Sequence, residues 1–145
     1  MTIVTALAAA LVAQSAMAEI GRVKSSVGPA SIKRGAISIP ATAGAKLEPG
    51  DIVITGKAGR VGIAFLDDTR FAVGPDSRIA MAEYTYDRAR QSGTSLTRVD
   101  RGSLGVVSGK IAKSGKDAMK VKTPTSMLGV RGTKFVVEVK GKGDS

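Results

Sequence analysis

Neither cysteine nor histidine occurs anywhere in the chain, and tryptophan is missing as well. Without thiols there is no disulfide framework and no Cys-based zinc site, and the residue that carries the lipid of an exported lipoprotein is also lacking. Without imidazole the chain has no Ser-His-acid triad, and it lacks the commonest general base near neutral pH and the preferred side-chain metal ligand. Acids are scarce: 12 Asp and Glu stand against 22 Lys and Arg, a formal charge of +10. A balance of that sign favours acidic partners such as anionic wall polymers, lipid headgroups or nucleic acid, although it also simply keeps a protein in solution.

At 145 residues the chain has the length of one ordinary domain and is long enough for a single core. Its one long apolar stretch is at the amino terminus. Residues Met1 to Ala18 are uncharged and Ala-rich, with Ile3, Val4, Leu7, Leu11 and Val12 leading to Ala16-Met17-Ala18. This is the small-x-small cleavage pattern of a secretory leader, so Glu19 is the expected mature start, although the customary basic n-region is absent. The run is interrupted by Gln14 and Ser15 and is short for a membrane span, so no transmembrane segment is expected. The domain is expected to occupy residues 19–145, and the location to be periplasmic or secreted.

After Glu19 the pattern is one of short β-branched runs with period two, bounded by Gly, Pro, Asp or Ser at intervals of about eight to twelve residues. The 18 scattered glycines fit many turns. Strands are expected at Gly21 to Val27, Ala30 to Lys33, Ile52 to Thr55, Arg60 to Leu66, around Phe71 and Val73, and at Arg78 to Tyr86. Further strands are expected at Ser95 to Asp100, Ser103 to Ser108, Met119 to Thr123 and Thr133 to Lys140. Ile79 and Met81 alternate out of phase with Tyr84 and Tyr86, which predicts a bulge near Glu83. Asp87 to Gly93 is expected to be a mobile polar loop. The fold class is therefore all-β: a single domain of many short, mostly antiparallel strands forming a sandwich or rolled sheet, with no substantial helix after the leader.

Chemical motifs are few. Adjacent Asp67 and Asp68 would point to opposite faces of a strand, which suits a turn rather than an acid/base pair. Gly102-Ser103-Leu104-Gly105 does not sit between a strand and a helix, and no complete phosphate loop is present. An exported carbohydrate-active enzyme using carboxylates such as Asp76, Glu83 or Asp87 is an alternative, and it requires two acids about 5 to 9.5 Å apart in a cleft. The densest basic stretch holds Lys110, Lys113, Lys116, Lys120 and Lys122 against the single acid Asp117. It is expected to be a hairpin loop, either merely solvated or a footprint for an anionic partner. With no aromatic residue among these lysines to stack on bases, nucleic acid is disfavoured as that partner.

Gly50-Asp51 with Thr55-Gly56, Phe65-Leu66-Asp67-Asp68-Thr69, Gly102-Ser103-Leu104, Thr123-Pro124 and Val130-Arg131-Gly132-Thr133 follow one another in an order and spacing that resemble the FecR-type periplasmic domain family. The resemblance runs from about Val23 to Val139. It implies an all-β envelope domain that receives or relays a signal through protein contacts. Regulators of that name carry a cytoplasmic anti-sigma segment and a membrane span ahead of the domain, whereas this sequence offers a leader, so a stand-alone exported member is expected. Its expected function is that of a non-enzymatic binding or signalling module, without a cofactor or metal, whose partner is an envelope protein or an anionic wall component. Gly50, Asp51, Asp67, Thr123, Pro124, Arg131, Gly132 and Thr133 are expected to be structural. Gly132 is expected to supply a positive φ, and Arg131 to tie backbone carbonyls or an acid such as Asp51 or Asp67.

Overall fold

The computed structural model describes residues 18–132 and 134–140. The expected leader, Ala18 excepted, and Thr133 thus lie outside the described residues. These contain β1 (Gly21–Val27), β2 (Ala30–Arg34), β3 (Ile37–Pro40), β4 (Lys46–Leu47), β5 (Ile52–Thr55), β6 (Arg60–Phe65), β7 (Arg70–Val73), β8 (Arg78–Asp87) and β9 (Ser92–Val107). A short helix, α1 (Lys110–Ser114), leads to β10 (Met119–Lys122), β11 (Met127–Gly129) and β12 (Lys134–Val139).

The strands form two layers joined through β9. One layer runs β4-β1-β6-β7-β9-β12, and the other runs β3-β2-β5-β8-β9-β10-β11. The first half of β9 pairs with β8 and β10, while Gly102 to Val107 pairs with β12 and, from Leu104, with β7. Between these halves the register with β8 shifts, leaving Asp100 as an extra residue, and Gly102 takes φ +89. A Cβ on Gly102 would run into the backbone of Ser77 as well as be held in a strained left-handed conformation, so glycine is required where the strand turns the corner.

Among the described residues every strand pairing is antiparallel except that of β9 with β10, where the crossover through α1 makes Ser95 to Arg98 run parallel to Met119 to Lys122. Alternate residues from both layers meet in one core. Val23, Ile63, Phe71 and Leu104 face Ile32, Val53, Ile79, Val99 and Val121, all at or below 4% exposure. Fully burying each such aliphatic side chain contributes about 1.5–3 kcal/mol.

The all-β class holds, and the bulge foreseen near Glu83 lies between Met81 and Glu83. It turns Tyr84 and Tyr86 inward, so they pack against the core already entered by Ile79 and Met81. Three expectations are corrected. Ser95 to Asp100 and Ser103 to Ser108 are halves of one sixteen-residue strand, because Gly102 bends the chain without ending the ladder. Asp87 to Gly93 is the tip of the β8–β9 hairpin, where Asp87 accepts hydrogen bonds from the Ala89 and Arg90 backbone. The lysine-rich stretch from Lys110 to Lys122 is not a hairpin loop: α1 occupies its start and its end is β10, the strand expected at Met119 to Thr123, with Ile111, Met119 and Val121 each drawn fully into the core. The short strands β3, β4 and β11 carry too few residues to show a period.

Candidate functional site

The turn between β6 and β7 places Asp67 at zero exposure. Its carboxylate accepts hydrogen bonds from Thr69 Oγ1 (2.7 Å), the Tyr84 hydroxyl (2.8 Å), the Ile111 backbone (3.1 Å) and the Thr69 backbone (3.3 Å). The Asp67 carbonyl also accepts from the Lys110 backbone, and Thr69 Oγ1 from that of Gly109. One turn therefore anchors the hairpin, β8 and the start of α1. Burial, followed by the neighbouring Asp67 carboxylate, pushes the Tyr84 phenol well above its ordinary range. Asp68 points the other way: its φ is +69, which Asp tolerates in a tight turn, and its exposed carboxylate meets Lys110 Nζ at 3.3 Å.

A second carboxylate, Asp51, is 1% exposed and is gripped by Arg34 at 2.9 and 2.8 Å in a two-pronged pair. The Glu48 backbone adds a third hydrogen bond at 2.9 Å, and the hydrogen bond to Asp51 raises the Arg34 guanidinium further. Gly50 ahead of it uses φ +88 to make the turn into β5.

Both acids expected as partners of Arg131 are thus held by other groups. Arg131 is exposed, and Gly132 does not occupy the left-handed region; a Cβ there would meet open space. The chain is instead fixed on either side, by Val130, whose backbone donates to the Met119 carbonyl, and by Ser108 Oγ, which donates to the Gly132 carbonyl at 2.6 Å. Thr123 and Pro124 form the tip of the β10–β11 hairpin, where Thr123 exchanges backbone and side-chain hydrogen bonds with Ser126.

The lysines separate into two groups. Lys110 is half-buried and paired with Asp68. Lys113 and Lys116 are exposed around α1, and Lys120 and Lys122 project from the outer face of β10. Beside them β11 is exposed at every residue, with Met127 at 54% and Leu128 at 46%, and among the described residues it pairs only with β10. Lys122 lies directly opposite Met127. An open strand edge carrying apolar side chains and flanked by cations is equipped to receive another chain.

The three candidate acids are all exposed. Asp76 stands exposed in the turn before β8, while Glu83 and Asp87 are four residues apart on that strand, about 13 Å. Among the described residues no cluster of three potential metal-binding His, Cys, Asp or Glu side chains occurs.

Several contributors escape sequence inspection. Arg34 carries no local signal that would link it to Asp51, seventeen residues away. Tyr84 is marked only by the broken alternation, and Met127 and Leu128 read as ordinary apolar residues.

No curated protein and no solved structure matches the chain. A family model described as FecR protein matches residues 51–145, about two thirds of the chain, from the Asp51 turn through the Asp67 node to the β10–β11 hairpin and beyond. The chain belongs to the FecR family, which is regulatory and non-enzymatic.

Proposed function

We propose that this FecR-family chain is an exported, stand-alone binding and signalling module of the bacterial cell envelope, working by contact with an envelope protein or an anionic wall component and not by catalysis. In this reading residues 1–18 are removed near Ala18 and residues 19–145 form the working domain, periplasmic or secreted. The core supports that extent, since it draws on Ile20 at one end and Val137 at the other. No helix among the described residues is long and apolar enough to cross a membrane.

The observation that carries the proposal is the open β11 edge, where Met127 and Leu128 stand beside Lys120 and Lys122. A partner strand or acidic loop would gain backbone hydrogen bonds along β11, apolar contact with Met127 and charge complementarity with the lysines. Lys113 and Lys116 would extend the contact around α1. Gly50, Asp51, Asp67, Thr123, Pro124 and Gly132 would shape the module, and Arg131 would lie on its surface near the working edge.

A photo-crosslinking residue placed at Met127 tests this in envelope extract. It should capture a partner that the same group at Val27, an exposed apolar residue on β1, does not, and Lys120→Gln with Lys122→Gln should weaken that capture without changing the melting temperature. Equal capture from both positions, or insensitivity to the lysines, would remove the edge from the proposal. Mass spectrometry of the exported protein should find Glu19 at its start; an intact Met1 on a cytosolic species would contradict export.

A further inference from the structure

A second basic surface lies on the opposite layer and owes nothing to the lysine-rich stretch. The register of the β4-β1-β6-β7-β9-β12 layer sets Lys46, Arg22, Ala64, Arg70, Val107 and Lys134 side by side in one row across the strands. Residues paired across a ladder share a face, and this is the outer one, since the intervening Ile63, Phe71 and Val106 are buried. The row therefore holds four cations. Arg22 is bonded to Glu19, while no carboxylate lies within salt-bridge distance of Lys46, Arg70 or Lys134 among the described residues.

The neighbouring row carries only small side chains up to its end, and it begins at Ser25, whose hydroxyl lies over Gly62. Gly62, Ala72 and Gly105 form its floor, and Val136, 70% exposed, forms its end wall. Lys24, the extra residue of a bulge in β1, overlooks it. Shallow grooves of about 450 Å³, bordered by Arg70, Val107, Lys134 and Val136, and about 380 Å³, bordered by Lys24, Gly62 and Arg70, follow this floor. Two more acids lie on this side: Asp68, paired with Lys110, borders a further groove with Glu19, Arg22 and Arg70, and Glu138 stands beyond Val136, away from the cation row.

The spacing of the row selects among linear polyanions. Adjacent strands lie about 4.8 Å apart, so Arg22, Arg70 and Lys134, on every second strand, recur at about 9.6 Å. An extended acidic peptide repeats its same-face side chains at about 6.7 Å and would fall out of step. A linear glycan with one carboxylate per disaccharide repeats at a length close to the cation spacing, and the Gly and Ala floor lets flat sugar rings approach the strands. No aromatic side chain lies in either row to stack on bases, which argues against single-stranded nucleic acid.

We propose that this outer face binds a linear acidic polysaccharide carrying one carboxylate per disaccharide, laid across the strands with its carboxylates on Arg22, Arg70 and Lys134. The proposal rests on the reading of the protein as an envelope binding module but assigns its polymer to a face other than the β11 edge.

Calorimetric titration with hyaluronan oligosaccharides, polyglutamate and oligothymidylate of equal charge tests it. The protein should bind hyaluronan most tightly, and Arg70→Gln with Lys134→Gln should weaken that binding on the order of tenfold. Both side chains are exposed, so melting should not change. Ala72→Glu, a carboxylate set into the floor, should block binding independently. The quadruple change of Lys113, Lys116, Lys120 and Lys122 to Gln should leave hyaluronan binding unaltered. Tighter binding of polyglutamate or oligothymidylate would overturn the choice of polymer. Hyaluronan binding lost with the α1 and β10 lysines would overturn the choice of face and leave the proposed function standing. Absence of hyaluronan binding would overturn the inference alone, since capture at Met127 is read separately.

Discussion

The β6–β7 turn and the β10–β11 hairpin both belong to the segments that carry the family resemblance, yet they spend their polar groups in opposite ways. In the first, Asp67 is buried and every hydrogen bond of its carboxylate is turned inward, to Thr69, Tyr84 and Ile111. In the second, Thr123 and Ser126 close a hairpin whose strand β11 is wholly exposed, and Arg131 beyond it is exposed too. Buried polar groups are expensive to leave unpaired, whereas exposed ones can exchange protein partners for water at little cost. The difference teaches that one family pattern holds both residues that fix the fold and residues left free for a partner.

The sharpest way to break that comparison is Asp67→Ala, which strands the Tyr84 hydroxyl and the Ile111 backbone together. Chemical denaturation should show a loss of about 3–5 kcal/mol, and Asp67→Asn, which keeps one acceptor, a loss of about 1–3 kcal/mol. A loss no greater than that of an exposed residue would mean that the node does not anchor the fold. Arg34→Met comes next. It leaves buried Asp51 with the Glu48 backbone as its remaining hydrogen-bond donor and should cost about 1–3 kcal/mol.

Tyr84→Phe should cost about 1–2 kcal/mol near neutral pH, and it carries a pH signature. Folding holds the phenol proton more tightly than the unfolded chain does, whose Tyr84 titrates near its ordinary value of 10.0. The contribution is fully present below that value and is lost as pH rises above it. The melting difference between the wild type and Tyr84→Phe should therefore shrink between pH 9 and higher values; a gap that widens would reverse the assignment.

On the exposed side the effects are small. Arg131→Ala should change stability by less than about 0.5 kcal/mol in thermal melting, and a larger loss would return Arg131 to the structural group. Changing Lys113, Lys116, Lys120 and Lys122 to Gln should leave melting unaltered while reducing the salt dependence of partner capture at the β11 edge.

How much of this was legible before folding can be followed residue by residue. Val61, Ile63 and Phe65 announce a half-buried strand because side chains alternate faces with period two, and that signal is local. The phase break between Met81 and Tyr84 announces the bulge for the same reason. Asp67 before Asp68 and Thr69 announces a turn, since short oxygen-bearing side chains bond their own backbone. The partners of those residues are another matter. Tyr84 meets Asp67 across seventeen residues and Ile111 meets it across forty-four, distances over which no spacing rule operates. The lysine-rich stretch misleads because its charge masks four buried residues, Ile111, Ala118, Met119 and Val121, whose intervals match neither a long helix nor a single strand.

By itself the sequence determined the all-β class, the places where most strands begin and end, the basic surface and, through its ordered motifs, the family. These depend on near neighbours: alternation, turn chemistry and composition. Only the tertiary structure decided that β9 serves both layers, that Arg34 rather than Arg131 holds Asp51, and that Lys46, Arg22, Arg70 and Lys134 fall into one row. Cross-strand register brings these residues together, and register is fixed by the pairing of distant segments and by which face each must bury.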